Sequence, residues 1–202
     1  GAGRARGRGA APGPSATVAW RGEPTKAGVF PLYSGDDLTV INFIWAPCMT
    51  LMPHNHNMFA VIGIYQGRED NLFWRRIGNG AEDGANPGIE AAGADSLGPG
   101  QVATLGRDII HSVANPIAKL TSAIHVYGGD FFNPPEPRSQ WGHESLVEHP
   151  WNIDDVRAVF SQAEMRYTAR LAAAPGARGG QTAARAPSPA SAPPPSSAAR
   201  RS

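Results

Sequence analysis

Six histidines occur in the 202-residue chain, and three of them have the spacing of metal ligands. His54 and His56 stand two residues apart in Pro53-His54-Asn55-His56. On an extended strand that spacing turns both imidazoles to one face, close enough to share an ion, with Asn55 turned the other way. His111 follows 55 residues later, behind the apolar pair Ile109-Ile110. Imidazole nitrogens suit iron, nickel, copper and zinc. Three protein ligands leave coordination positions open for substrate or oxygen, which separates a catalytic site from a closed structural one. Paired histidines at this spacing also arise by chance on surfaces, so the weight falls on context. This pair lies between two strand-like segments. His125 sits inside another strand-like segment, whereas His143 and His149 lie in a loop with Pro, Ser and Trp and are expected to be solvated.

The elements that must carry these side chains follow from the apolar pattern. Residues 38–45 (LTVINFIW), 58–65 (MFAVIGIY) and 120–127 (LTSAIHVY) are apolar and rich in β-branched and aromatic types, as buried strands are. Residues 71–77 (NLFWRRI) read as a further strand. The tetrapeptide Arg68-Glu69-Asp70-Asn71 looks like a turn that would make 58–65 and 71–77 a hairpin. Residues 48–53 (CMTLMP) read as a short link. Residues 78–100 read as a Gly-, Asn-, Asp- and Ala-rich loop with a short strand near Ala91, and 101–105 as another short strand. After Trp151 the period changes. Ile153, Val156, Val159, Phe160, Ala163 and Tyr167 recur at spacings of three and four. Asn152 can cap, Asp154 and Asp155 suit the first turn, and Arg166 and Arg170 suit the last. A helix over 153–170 is expected, packed on the outside of the domain. Short strands, Gly-rich turns and one late helix predict an all-β barrel or jelly roll.

Composition sets the limits of that domain. Residues 1–26 are rich in Arg, Gly and Pro, and 171–202 in Ala, Pro, Ser and Arg. Neither stretch has the apolar side chains that offset the entropy of ordering, so both are expected to be disordered and 27–170 to be the single folded domain. The net charge of +1 hides an asymmetry: 27–170 holds nine basic and sixteen acidic residues, a net of −7. An acidic core does not favour nucleic acid, whose binders carry their basic patch on the folded domain. No apolar run is long enough for a membrane span, and the start lacks the apolar core of a secretory signal. The one cysteine, Cys48, rules out an intrachain disulfide and a thiolate cluster and suits a reducing, cytoplasmic setting. A monomer or homodimer is expected.

Several motifs, in order, resemble the cupin superfamily, and within it the cysteine dioxygenase-like thiol dioxygenases of bacteria. They are Phe43-Ile44-Trp45, Pro53-His54-Asn55-His56, Ile62-Gly63-Ile64-Tyr65-Gln66-Gly67-Arg68-Glu69, Gly106-Arg107-Asp108-Ile109-Ile110-His111 and Ile124-His125-Val126-Tyr127-Gly128-Gly129-Asp130. The resemblance implies a double-stranded β-helix, ferrous iron, Fe(2+), on His54, His56 and His111, and oxidation of a small-molecule thiol by dioxygen to its sulfinate. It implies catalytic roles for Tyr127 and His125, with the Tyr127 hydroxyl donating toward the metal. The strand period agrees in putting His125 and Tyr127 on one face.

Four departures qualify the match. The serine that precedes the His–Tyr pair in the family falls on Ala123, with Ser122 expected on the opposite face. No glutamate ligand follows His56. The cysteine that cross-links to the tyrosine in animal-type members falls near Ala60. The arginine or glutamine that grips the substrate carboxylate is missing upstream, where 26–36 offers only Lys26; Arg68, Arg75, Arg76 and Arg107 are the replacements considered. Two other readings therefore stand beside the thiol dioxygenase: a metal-dependent cupin enzyme acting on a non-thiol molecule, and a non-enzymatic ligand-binding cupin module.

Overall fold

A computed structural model describes residues 24–77 and 88–174. The expected terminal extensions fall outside these apart from 24–26 and 171–174, as does the 78–87 part of the expected loop.

The apolar runs form strands, as their composition requires. β1 (Gly28–Ser34) and β2 (Thr39–Trp45) pair first. β3 (Thr50–Asn55), β4 (Ala60–Gln66), β5 (Glu69–Arg76) and β6 (Ile89–Leu97) follow. Then come β7 (Val102–Leu105), β8 (Ile110–Ala114), β9 (Thr121–Tyr127), β10 (Ser139–Trp141) and β11 (Glu148–Pro150). One sheet has the order β1-β2-β9-β4-β7 and the other β11-β10-β3-β8-β5-β6. Neighbours pair antiparallel, and consecutive strands from β2 to β5 alternate between the sheets. The inward faces of both sheets supply one core, with Ile41, Phe43, Trp45, Ile62, Leu51 and Val113 among its members. Strand order and shared core make this the double-stranded β-helix of the cupin fold.

Four local expectations are corrected. The 58–65 and 71–77 strands are no hairpin: β4 pairs with β7 and β9, and β5 with β6 and β8. The chain crosses between sheets at Gly67, whose φ of 82° needs glycine and where a Cβ would collide with Thr121. Arg68-Glu69-Asp70-Asn71 is mostly the start of β5 rather than a turn, because Glu69 and Asn71 are inward-facing polar groups with partners across the barrel. The 48–53 link contains most of β3. Its register slips between Leu51 and His54, a bulge that accommodates Pro53. The short strand near Ala91 is the nine-residue β6, an edge strand exposed along most of its length, so no buried face imprints a period.

The helix α1 (Ile153–Ala173) forms where the period predicted it, three residues longer. Asn152 caps it by accepting from the Asp154 N–H, and Asp154 and Asp155 occupy the first turn. Val156, Phe160 and Ala163 are its buried face. Phe160 lies 5.2 Å from the Trp45 ring, and Glu164 accepts from the Ala27 N–H at 2.7 Å. α1 thus packs against β1 and β2. Among the described residues no helix is long and apolar enough to cross a membrane.

Candidate metal centre

β3 and β8 are adjacent, and their register sets His54 directly across from His111. His56 stands just beyond the end of β3, where Asn57 turns the chain with a φ of 53°. All three imidazoles are buried. The Nε2 atoms of His54 and His56 are 3.2 Å apart and those of His56 and His111 3.3 Å. One nitrogen from each ring lies within 4.8 Å of the others. Nitrogens about 2.0–2.1 Å from a shared ion would be roughly 2.8–3.4 Å apart over octahedral to tetrahedral angles. The two pairs that include His56 have that spacing.

Two of the outer nitrogens are held as ligation requires. His54 Nδ1 lies 2.9 Å from the Met52 carbonyl, which only accepts, so Nδ1 carries the proton and Nε2 keeps its lone pair. His111 Nδ1 lies 2.8 Å from Asn71 Oδ1. Burial lowers the His54 pKa from 6.5 to about 4; the Met52 carbonyl opposes this, and the charges of Arg138 and His125 add to it. Burial, then the neighbouring histidines, holds His56 and His111 well below 6.5. Three buried imidazoles, each with one ring nitrogen within 4.8 Å of the others, form a donor set that a divalent cation would complete. The residues fit a metal of the borderline class that takes nitrogen.

β9 puts His125 and Tyr127 on the inner face next to this cluster. Tyr127 packs on His56 with ring centroids 4.9 Å apart, and its hydroxyl is 3.0 Å from His125 Nδ1. Burial, then the charge of Glu69, pushes the Tyr127 pKa upward, so the phenol stays protonated. Ala60 is the residue across from Tyr127 in β4, so no thiol flanks that ring, and Cys48 is exposed elsewhere. Ala123 is fully buried. His143 and His149 are exposed, as expected.

Three further residues escape a reading of the sequence. Glu69, fully buried, accepts from Trp45 Nε1 at 2.9 Å and from Asn71 Nδ2 at 3.1 Å, and its Oε2 is 3.4 Å from His125 Nε2. Asn71 joins Glu69 to His111. The alternation of Glu69, Asn71 and Phe73 was the available signal for both. Arg138 is the third. Its guanidinium lies 4.4 Å from the Phe131 ring centroid and 4.6 Å from that of Trp151. Its Nε and Nη1 are buried without a hydrogen-bond partner among the described residues, and burial lowers its pKa to about 10. The segment that carries the histidines also places it: Asn55 accepts from the Ser139 N–H, and Asn57 donates to the Pro137 carbonyl. Arg68, Arg75, Arg76 and Arg107 instead form surface ion pairs with Asp70, Glu90, Glu148 and Glu136.

A cavity of about 340 Å³ opens beside the cluster. His54, His111, His125 and Tyr127 supply its polar edge, and Phe43, Leu51, Val113, Phe131, Val156 and Phe160 are among its apolar walls. Three imidazoles able to hold a metal ion at such a cavity, in a cupin fold, support a metal-dependent enzyme.

No protein-family model matches the sequence. Solved structures similar to the chain include a cupin superfamily protein from Desulfitobacterium hafniense, at 14% identity over 55% of this chain and 84% of that one, with a TM-score of 0.39. An RmlC-like cupin family protein with a double-stranded β-helix fold from Methanocaldococcus jannaschii is similar at 11% identity over 55% and 86%, with a TM-score of 0.41. Peruvianin-I, described as a cysteine peptidase from Thevetia peruviana latex, is similar at 12% identity over 46% of this chain, with a TM-score of 0.35. The match spans about half of peruvianin-I, 51% of its chain.

Proposed function

We propose that the protein is a metal-dependent cupin dioxygenase that oxidises a small thiol bearing an anionic group to its sulfinate, with Fe(2+) on His54, His56 and His111. The observation that carries this reading is a neutral three-histidine cluster together with a buried guanidinium, Arg138, whose Nε and Nη1 have no partner among the described residues and which lies against the cavity-wall rings of Phe131 and Trp151. A buried cation with free donors is costly. An anionic substituent on the ligand would relieve that cost and fix the ligand's orientation.

When bound, iron would supply open positions where thiolate and dioxygen meet and the redox chemistry that joins them, RSH + O2 → RSO2H. The protein's share is binding, orientation and exclusion of water. Arg138 would hold the carboxylate, its plane kept between Phe131 and Trp151. The apolar walls and α1 would keep bulk water from the reacting sulfur. Tyr127, with His125 behind it, would offer the substrate a polar contact beside the metal.

Iron-loaded protein should consume oxygen in the presence of cysteine or 3-mercaptopropionate and yield the sulfinate, and should turn over cysteamine, which has no carboxylate, poorly. Failure of every thiol in that panel to drive oxygen uptake would falsify the proposal. The mainly apolar lining favours one alternative, a metal-dependent reaction on an apolar substrate without sulfur. Turnover of such a compound by thiol-inactive protein would select it.

A further inference from the structure

Ala123 removes the hydroxyl that the resemblance sets beside His125, yet His125 has a partner. The hydrogen-bonded chain His111–Asn71–Glu69–His125–Tyr127 leads from the metal cluster to the cavity wall. Its direction can be deduced group by group. For His111 Nε2 to face the cluster with a free lone pair, Nδ1 must carry the proton. Asn71 must then present Oδ1 to His111, which leaves its Nδ2 facing Glu69. Glu69 accepts from Asn71 through Oε1 and from the indole N–H of Trp45 through Oε2. As a carboxylate, Glu69 has only acceptor atoms to offer. His125 must therefore point an N–H from Nε2 at Glu69 Oε2. That leaves His125 Nδ1 as an acceptor, and the Tyr127 hydroxyl is the donor that meets it at 3.0 Å.

We infer that Glu69 takes over the role of the missing hydroxyl and reverses the expected hydrogen bond. It fixes His125 in its Nε2–H form, so the Tyr127 hydroxyl spends its proton on His125 and shows the cavity an acceptor oxygen. Tyr127 then selects ligand groups that donate, such as an ammonium, rather than donating to them. Glu69 and His125 are positioning residues, and Tyr127 is the residue that meets the ligand. The sense of the chain is tied to the metal through Asn71, so it rests on the metal-centre reading but not on thiol oxidation.

The test separates the two. In zinc-loaded protein with 15N-labelled histidine, long-range 1H–15N spectra distinguish a protonated from a bare Nδ1. His125 should be bare at Nδ1 and protonated at Nε2. The opposite tautomer in the wild type overturns the inference, whether or not any thiol is oxidised. Glu69→Gln should erode the single tautomer. With a thiol that the wild type oxidises, it should lower kcat by about 10–100-fold, with KM moved much less. An Asn71→Ala variant should weaken the same preference while leaving Glu69 in place. An unchanged His125 tautomer in folded Glu69→Gln protein also overturns the inference.

Discussion

Arg138 stands at the residue scale as an unbalanced charge. Its stacking on Phe131 and Trp151 recovers part of the lost hydration, while Nε and Nη1 stay unbonded. On the function proposed above, that cost is kept for the anionic group of a ligand. Arg138→Met should leave the melting temperature unchanged or raise it, because a buried cation gives way to a flexible apolar chain of similar length. The same change should weaken an anionic thiol by roughly tenfold or more, the worth of about 1.5–3 kcal/mol for hydrogen bonds to a charge. A KM for 3-mercaptopropionate unaltered in the variant would remove Arg138 from the site. The pairing of His54 with His56 was legible because a two-residue period puts alternate side chains on one face, whereas His111, His125 and Tyr127 were joined to it by the resemblance, with the period agreeing for the last two. Arg138 was not. It lies in a Pro-rich stretch with no period, and its place depends on Asn55 and Asn57, about 80 positions earlier. Glu69 was obscured for a related reason. Its partners Trp45 and His125 lie on other strands, so locally it is one polar residue among four.

At the scale of elements, α1 joins the core to the cavity. Its period announced it, and its cap and first-turn acids were readable one residue at a time. What the period could not give is where the helix docks, which depends on Phe160 meeting Trp45 and Phe43. Phe160→Ala should cost about 3–5 kcal/mol of stability by chemical denaturation, the usual price of truncating a buried aromatic. It should also enlarge the cavity and let bulkier thiols bind. Loss of stability without any change in ligand size preference would mean that the helix supports the barrel but does not shape the site. The strands differ in legibility for physical reasons. β2 and β9, buried and paired on both edges, read clearly. β3 carries a proline and a bulge, and β6 is an exposed edge, so neither shows the simple pattern of a buried strand.

Across the whole molecule, a metal-free barrel must keep three imidazoles neutral and buried together. In the unfolded chain a histidine takes its proton near pH 6.5, whereas folded His54 does so near 4. Between these values the unfolded chain binds more protons, so stability is full above about 6.5 and falls as the pH drops toward 4. His54 alone accounts for on the order of 3 kcal/mol over that window. His56 and His111, shifted in the same direction, steepen the loss. Urea midpoints of metal-free protein should therefore be level above about pH 7 and decline steadily below it. A profile level down to pH 4.5 would show that the imidazoles are not held neutral. Bound metal should hold the midpoint up until protons compete for the nitrogens. One consequence follows from the position of α1 over the cavity. Val156 and Phe160 belong both to the core and to the cavity wall, so this wall is itself a piece of the core. Widening the cavity at this wall means loosening a piece of the core, so room for a larger ligand there would come only as fast as the helix itself loosens.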